Sequence, residues 1–347
     1  MPERVLKFLR DSGGEAAGPK ISGALGMTRT AVWKKIARLR AGGYRISASK
    51  SGYRLLDGPD LSIFELKSRL PGVPVIFREN VSSTNDLALQ AAFTGTRPPA
   101  AEMGVKTGSL STLVVAGSQT AGRGRLGRQW FSPPGVNIYM SVVFRPEIPP
   151  RKSPLLALAA GLASALAIKG QTGLQVRLKW PNDLVVPMKA DGGYKKIGGI
   201  LLEFRSDPDK VLLAVAGIGI NANMEKKTLP KGSSISSIAS AATSILAETG
   251  RRVDRGALAA AVYKELDYWT KNLLKKAGGE EQVLQGYQNL CVTIGGKVRI
   301  QTEGSTFTGT AAGINGDGRL ILRTEAGRGK SKMLFSTGEV RSVRGDE

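Results

Sequence analysis

The sequence predicts an α+β chain of more than one domain, and three textures predict it. Residues 1–57 alternate short helical patterns with a β-ribbon pattern and carry an excess of positive charge. The centre mixes strands and helices without a strict βαβ alternation, which points to a mixed sheet. From about Asn289 the chain breaks into short strands split by glycine turns, the pattern of a small antiparallel barrel. The expected domain borders give 1–58, 59–287 and 288–347. At 347 residues the chain is long enough for two or three domains with real cores.

Each element follows from its residues. Val5, Leu6 and Leu9 share one face of a first helix, stopped by Gly13-Gly14. A second helix covers Ile21–Leu25 and ends at Gly26. Thr28 caps a third, whose Val32, Ile36 and Leu39 face inward. Its other faces carry Arg29, Thr30, Trp33, Lys34 and Arg38. Tyr44–Ala48 and Tyr53–Leu56 then form a hairpin around Lys50-Ser51-Gly52. This is the order of a winged helix-turn-helix, whose third helix enters the DNA major groove; a helical protein-binding module is the competing reading. Residues 1–57 hold 12 basic and 4 acidic side chains, a net of +8. Arg29, Thr30, Lys34 and the wing's Lys50 are the DNA-contacting candidates.

Leu61–Leu70 predicts a helix, Val75–Phe77 a strand, and Ser82–Asp86 the start of a helix running to Ala92. Gly95–Ser111 reads as a polar, Pro/Gly-rich connection. Strands follow at Thr112–Ala116 and Val136–Phe144. Lys152–Gly170 is a packing helix of Ala and Leu. Strands at Leu174–Lys179, Leu184–Val186, Lys196–Phe204 and Val211–Ile218 and a helix over 254–276 complete the centre, with a turn at Met188–Gly193. The last part predicts strands at Val292–Ile294, Lys297–Gln301, Thr306–Ile314, Leu320–Thr324 and Lys332–Phe335.

Composition narrows the chemistry. The net charge is +22, from 50 Lys and Arg against 28 Asp and Glu. That balance favours anionic partners such as nucleic acid or nucleotides. Histidine is absent and Cys291 is the single cysteine. Ser-His and Cys-His catalysis, His-ligated metals and a disulfide framework are therefore excluded. One cysteine and no signal-peptide core at the N-terminus lead to a cytoplasmic expectation. Leu155–Ile168 reads as too short and too alanine-rich to span a membrane.

The densest chemical signal is Gly122-Arg-Gly-Arg-Leu-Gly-Arg-Gln-Trp130. Glycine lets the backbone approach a ligand, and arginine offers a planar fork for carboxylate or phosphate. Gly122, Gly124 and Gly127 also spell a dinucleotide fingerprint, but Pro133-Pro134-Gly135 forbids the helix it must open. A loop closing over a small anion fits better than a plain surface loop. Lys179-Trp-Pro-Asn-Asp183 adds a cation and a carboxylate at a strand end, where Asp183 can hold Mg²⁺. Lys196 starts a strand beside small residues, within reach of phosphate or carboxylate. Asn221 follows Gly217-Ile-Gly-Ile220 and can read a nucleobase edge. Ser83-Thr84-Asn85 offers hydroxyls to a polar ligand or caps a helix. No P-loop sequence occurs. Arginines, two lysines and one carboxylate suit an adenylation, in which positioning and charge do the work.

In this order the four segments Gly122–Trp130, Lys179–Asp183, Lys196–Ile200 and Gly217–Asn221 resemble the biotin–protein ligases. With the N-terminal module the chain resembles their bifunctional form, a ligase joined to a biotin operon repressor. The resemblance covers nearly the whole chain. It implies biotinyl-5′-AMP formation from biotin and ATP with Mg²⁺, then transfer to a lysine of a biotin carboxyl carrier protein of acetyl-CoA carboxylase. It implies biotin contacts from Ser83, Thr84, Gln119, Gly122, Arg123, Arg125 and Lys196. Nucleotide contacts would come from Arg125, Trp130, Asn182 and Asn221. Lys196, Arg125, Lys179 and Asp183 would act in catalysis, with Asp183 on the metal. It further implies operator DNA as a partner, a homodimer when loaded with adenylate, no membrane association, and an SH3-like C-terminal barrel. A ligand-sensing DNA-binding regulator without catalysis and a lipoate ligase-like enzyme are the alternatives.

Overall fold

A computed structural model of the chain describes residues 1–93, 110–188, 193–228, 242–302, 304–326 and 329–342. The expected polar connection falls almost wholly outside them, and its last two residues, Leu110 and Ser111, already belong to a strand.

The N-terminal unit has the predicted order. Helices α1 (Pro2–Asp11), α2 (Gly18–Leu25) and α3 (Arg29–Ala41) precede the hairpin β1 (Arg45–Ala48) and β2 (Tyr53–Asp57). The Thr28 hydroxyl accepts from the Ala31 amide at 3.2 Å, so the foreseen cap is made. Val5, Leu6, Leu9, Val32, Ile36 and Leu39 form one small core. Trp33 stays out of it, 57% exposed.

Helix α4 (Ile63–Arg69) leads into the central sheet of seven strands. These are β3 (Val75–Val81), β4 (Leu110–Gln119), β5 (Ile138–Phe144), β6 (Arg177–Lys179), β7 (Asp183–Pro187), β8 (Tyr194–Ser206) and β9 (Val211–Ile220), ordered β3-β4-β5-β9-β8-β7-β6. β3 and β4 are parallel and every other neighbour pair is antiparallel, so the sheet is mixed as predicted. Helix α5 (Thr84–Phe93) covers one face through Ala88, against Val114, Val143, Leu213 and Val215. The other face lies under α6 (Pro154–Thr172), α8 (Arg255–Lys275) and α9 (Gly279–Leu290), with the short α7 (Ile245–Thr249) beside them. Strand β5 is covered on both faces, so all seven of its residues are buried. Each such large apolar side chain contributes roughly 1.5–3 kcal/mol.

The stretch Pro150–Thr172 is longer than its Ala/Leu pattern suggested. By length and hydropathy alone it reaches membrane-span size, yet 72% of its apolar 18-residue window is buried in the core.

The last part is one antiparallel sheet, β10 (Lys297–Thr302), β11 (Ser305–Ile314), β12 (Leu320–Ala326), β13 (Gly329–Phe335) and β14 (Glu339–Ser342), ordered β13-β12-β11-β10-β14. Two expectations change here. Val292–Ile294 is not a strand but a turn: the Val292 amide donates to the Leu178 carbonyl at 2.8 Å, tying the turn to β6 instead of the C-terminal sheet. Helix α9 was not foreseen, and it runs across the border drawn at 287/288. Strand β14 was not foreseen either; four residues are too few for a readable alternation. At Met188–Gly193 the Met188 amide donates to the Gly193 carbonyl at 2.8 Å, while residues 189–192 lie outside the described set.

Candidate active site and DNA-facing helix

The ends of β4, β7, β8 and β9 and the start of α5 surround a cleft of about 1100 Å³. One wall comes from elsewhere: Gln301, Glu339, Val340 and Arg341 of the C-terminal sheet line it too. Six lining side chains are cationic and two, Asp183 and Glu339, are carboxylates, so the cleft carries a surplus of positive charge. An anion that enters meets charges not fully spent on each other.

Short-range geometry gathers the predicted residues. Asp183 pairs in register with Lys179 across the β6–β7 turn and with Gly199 on β8. Lys196 sits on β8 and places its Nζ 2.6 Å from Asp183 Oδ1. The turn contains the one cis peptide among the described residues, Trp180-Pro181. Burial lowers the Lys179 amine below its usual value; Asp183 opposes that effect and Lys196 adds to it. Burial likewise lowers Arg125, with Asp183 acting in the opposite direction. Arg125 Nη1 donates to Asn182 Oδ1 at 2.9 Å, and its Nη2 donates to the Thr337 hydroxyl. Lys179, Asn182, Asp183, Lys196 and Arg125 thus form one cluster.

The opposite end of the cleft is neutral and polar. Ser83, Thr84 and Asn85 are buried. Gln119 Oε1 accepts from the Thr84 amide at 2.9 Å and from its hydroxyl at 3.2 Å, while Gln119 Nε2 donates to the Ser132 hydroxyl at 2.9 Å. Between the two ends lies Trp130. Its indole rests on Gly219, where a Cβ would come within 2.6 Å of the ring. Lys196 Nζ stands 5.4 Å from the ring centroid. The indole Nε1 is buried without a partner, a donor left open inside the cleft.

Two predicted residues are engaged elsewhere. Asn221 lines the cleft, but its side chain donates to the Thr243 carbonyl at 2.9 Å and accepts from Asn137 at 3.4 Å. Its amide braces the β9 exit, a demand that strand-end spacing does not reveal. Arg123 lines the cleft as well, but its guanidinium holds Asp86 and Glu203. Gly122 is buried at the base of the loop, with the Trp130 amide donating to its carbonyl at 2.8 Å. Sequence reasoning missed Thr337, Glu339 and Arg341, since nothing local in β14 announces a cleft-forming role.

Among the described residues no group of three acidic, Cys or His side chains forms a metal cage. Asp183 with Asn182 is a donor set suited to Mg²⁺ that takes its other ligands from phosphate and water.

At the far end of the chain, Arg29, Thr30, Trp33, Lys34 and Lys50 are all exposed, the first four on α3 and Lys50 on the hairpin tip.

Comparison with known proteins adds to this geometry. Residues 100–221 match the biotin/lipoate A/B protein ligase family, residues 3–54 a helix-turn-helix domain, and residues 293–341 the biotin protein ligase C-terminal domain. The bifunctional ligase/repressor BirA of Bacillus spizizenii is 34% identical over 335 residues, 93% of this chain and 94% of that one. The protein of the same description from Escherichia coli is 29% identical over 329 residues, 94% and 93% of the two chains. Among solved structures, a biotin protein ligase from Aquifex aeolicus in complex with biotin and ATP has a TM-score of 0.58 and 26% identity. It covers 78% of this chain and 99% of its own.

Proposed function

We propose a residue-level chemistry for this chain, which belongs to the family of bifunctional biotin ligases and repressors, and whose cleft is suited to making and holding an acyl-adenylate. The observation that carries the proposal is the meeting of Lys179, Asp183, Lys196 and Arg125 at one end of a cleft whose other end offers Ser83, Thr84 and Gln119. A ligand with a neutral, hydrogen-bonding head and a carboxylate tail fits that polarity, and biotin has it.

The head group sits against Ser83, Thr84 and Gln119. The aliphatic tail runs along Trp130. The carboxylate arrives at Lys196, where ATP places its α-phosphate. A carboxylate oxygen attacks phosphorus, the bond to the β-phosphate oxygen breaks, and pyrophosphate leaves with that electron pair. Negative charge builds on the phosphoryl oxygens in the transition state. Lys196, Lys179 and Arg125, gathered at that end of the cleft, spread this charge with little reorganisation, which is where such a site gains its rate. Asp183 would hold Mg²⁺, which when bound would supply neutralisation of part of the phosphate charge. The product is biotinyl-5′-AMP and pyrophosphate. In the second step the neutral amine of a lysine on a biotin carboxyl carrier protein attacks the acyl carbon, AMP departs with the bonding electrons, and the nitrogen releases its surplus proton to solvent. No histidine is required.

The adenine end lies towards Trp130 and the C-terminal wall. Since Asn221 spends its side chain internally, its part in holding the base is structural support for β9. The α3 surface with Arg29, Thr30, Lys34 and Lys50 contacts operator DNA, and the adenylate-loaded protein dimerises on it.

The test is adenylation of biotin with ATP labelled at the α-phosphate. Wild type forms biotinyl-AMP, and Lys196→Ala loses about 10²- to 10³-fold in rate, the range for removing one preorganised donor to a developing charge. Equal activation of lipoate would remove biotin as the specific substrate. Ligand binding without pyrophosphate release would favour a regulator that only senses its ligand.

A further inference from the structure

We propose that Asp86 and Glu203 are positioning residues that seat the Gly122–Trp130 loop over the cleft through Arg123, and so set how long the adenylate is retained. The inference rests on the ligase reading of the cleft.

The backbone of the loop bonds within the loop itself. Within it the Gly124 amide donates to Arg128 at 2.7 Å, the Arg128 amide to Arg125 at 3.3 Å, and the Trp130 amide to Gly122 at 2.8 Å. Its tip, Leu126, is 68% exposed with a left-handed φ of +56°, which costs a non-glycine residue energy. Its position is therefore set by side chains. The three arginines leave it in three directions. Arg125 enters the cleft, Arg128 bonds to Glu339, and Arg123 grips the scaffold on the opposite side.

That grip is a fork on two carboxylates. Arg123 Nη1 donates to both Asp86 oxygens at 2.7 and 2.8 Å, and Nη2 to both Glu203 oxygens at 3.0 and 3.1 Å. Asp86 lies in the first turn of α5 and Glu203 on β8. Neither lines the cleft, so neither touches the ligand. Their hold reaches the ligand's head group by another route. Glu203 Oε2 accepts from Asn85 Nδ2 at 2.5 Å. Asn85 Oδ1 lies 2.6 Å from the Ser141 hydroxyl, which is 2.8 Å from the Thr84 hydroxyl. Thr84 meets Gln119. Asn85 has no room to swing away, since a Cβ on Gly217 would stand 2.3 Å from its Oδ1. One carboxylate therefore joins the seat of the loop to the polar end of the cleft.

The strength of the seat suits its task. The three side chains are 41%, 45% and 32% exposed, so each pair alone contributes little. A bidentate, charge-assisted fork shared by two carboxylates is firmer than one exposed pair, yet it still opens to admit substrate and carrier.

The experiment uses the full chain carrying Glu203→Gln, Asp86→Asn, or both. Glu203→Gln retains an oxygen that accepts from Asn85 while losing the charge that holds Arg123. Amide hydrogen exchange is read in the protein without ligand, and steady-state adenylation in parallel. The seat predicts that exchange over 122–130 speeds by about tenfold in the double variant while β8 and β9 stay protected. It also predicts that KM for biotin and the rate of adenylate loss rise by about tenfold with kcat changed less than twofold. Unchanged loop exchange in the double variant overturns the proposal. So does faster exchange with unaltered KM and adenylate loss, and so does a fall in kcat alone. Should Glu203→Gln unfold, Asp86→Asn alone carries both readouts. If wild type makes no biotinyl adenylate, the ligase reading fails, and the exchange arm still decides whether these carboxylates seat the loop.

Discussion

Two charge clusters in this molecule contain the same kinds of side chain and serve opposite ends. The first is the cleft, where Lys179, Lys196 and Arg125 surround Asp183. The second is the junction between the N-terminal unit and the central domain. There Glu65, 3% exposed, accepts from Arg10, from Arg69 at 3.2 Å and from the Tyr44 hydroxyl at 3.1 Å. Arg69 continues to Asp254 at 2.6 Å, and Arg255 closes on Asp60 at 2.5 Å. At the junction every named cation has a carboxylate. In the cleft, cations outnumber carboxylates. A balanced buried network fixes two bodies together; an unbalanced one waits for an anion from outside.

The difference can be broken from either side. The largest effect is expected at Lys179. Its amine is held below the usual 10.5 by burial, so the protonated form is penalised in the folded protein. Lys179→Met removes that penalty and should make the fold more stable by about 1 kcal/mol, read as a higher denaturant midpoint. Adenylation should fall at least 100-fold, on the order of one lost transition-state cation. A loss of both stability and activity would make this lysine structural. The sign for pH follows. With its folded pKa lowered, Lys179 loses its charge as pH rises before an exposed lysine does. The alkaline limb of the adenylation rate should therefore lie below 10.5, and Lys179→Arg should move it upward.

Glu65 should behave in reverse. Glu65→Gln strands Arg10 and leaves Arg69 with Asp254 alone, and should cost about 1–3 kcal/mol, while adenylation stays within about twofold of wild type. Operator binding by that variant should weaken, because the α3 surface is no longer held at one angle to the catalytic body. An unchanged denaturant midpoint would show the junction to be loose.

The smallest effect belongs to Asp60. Burial works to raise its carboxyl, but hydrogen bonds and charge from Arg255 outweigh it and hold the group below its usual value. A depressed carboxylate contributes stability above its unfolded pKa and loses it as pH falls through the folded one. That window opens below about pH 4. Asp60→Asn should lower thermal stability at every pH above that window and flatten the acid limb within it.

The two clusters were unequally legible in the sequence. Lys179–Asp183 and Lys196 are written in short runs, and register pairing brings them face to face because β6, β7 and β8 are neighbours. The α3 face was readable from its cap and its period, and Trp33 proved to belong to the exposed side. Glu65 was invisible, since one glutamate in a short helix has no signature and its partners Arg10 and Tyr44 lie 55 and 21 residues away. Helix α9 hid because its apolar stripe is thin and merges into the turn expected as a strand.

Local chemistry alone determined the identity of the functional segments, the helix-turn-helix order and the exclusion of histidine chemistry. Those depend on residue type and spacing within a few positions. Tertiary structure decided where each arginine of the Gly122–Trp130 loop goes, that the C-terminal sheet supplies a wall of the cleft, and that the Asn221 side chain braces the Thr243 carbonyl and Asn137. Those outcomes depend on which carboxylate or carbonyl stands within about 3 Å of a side chain once the chain has closed on itself. No spacing rule sees that far.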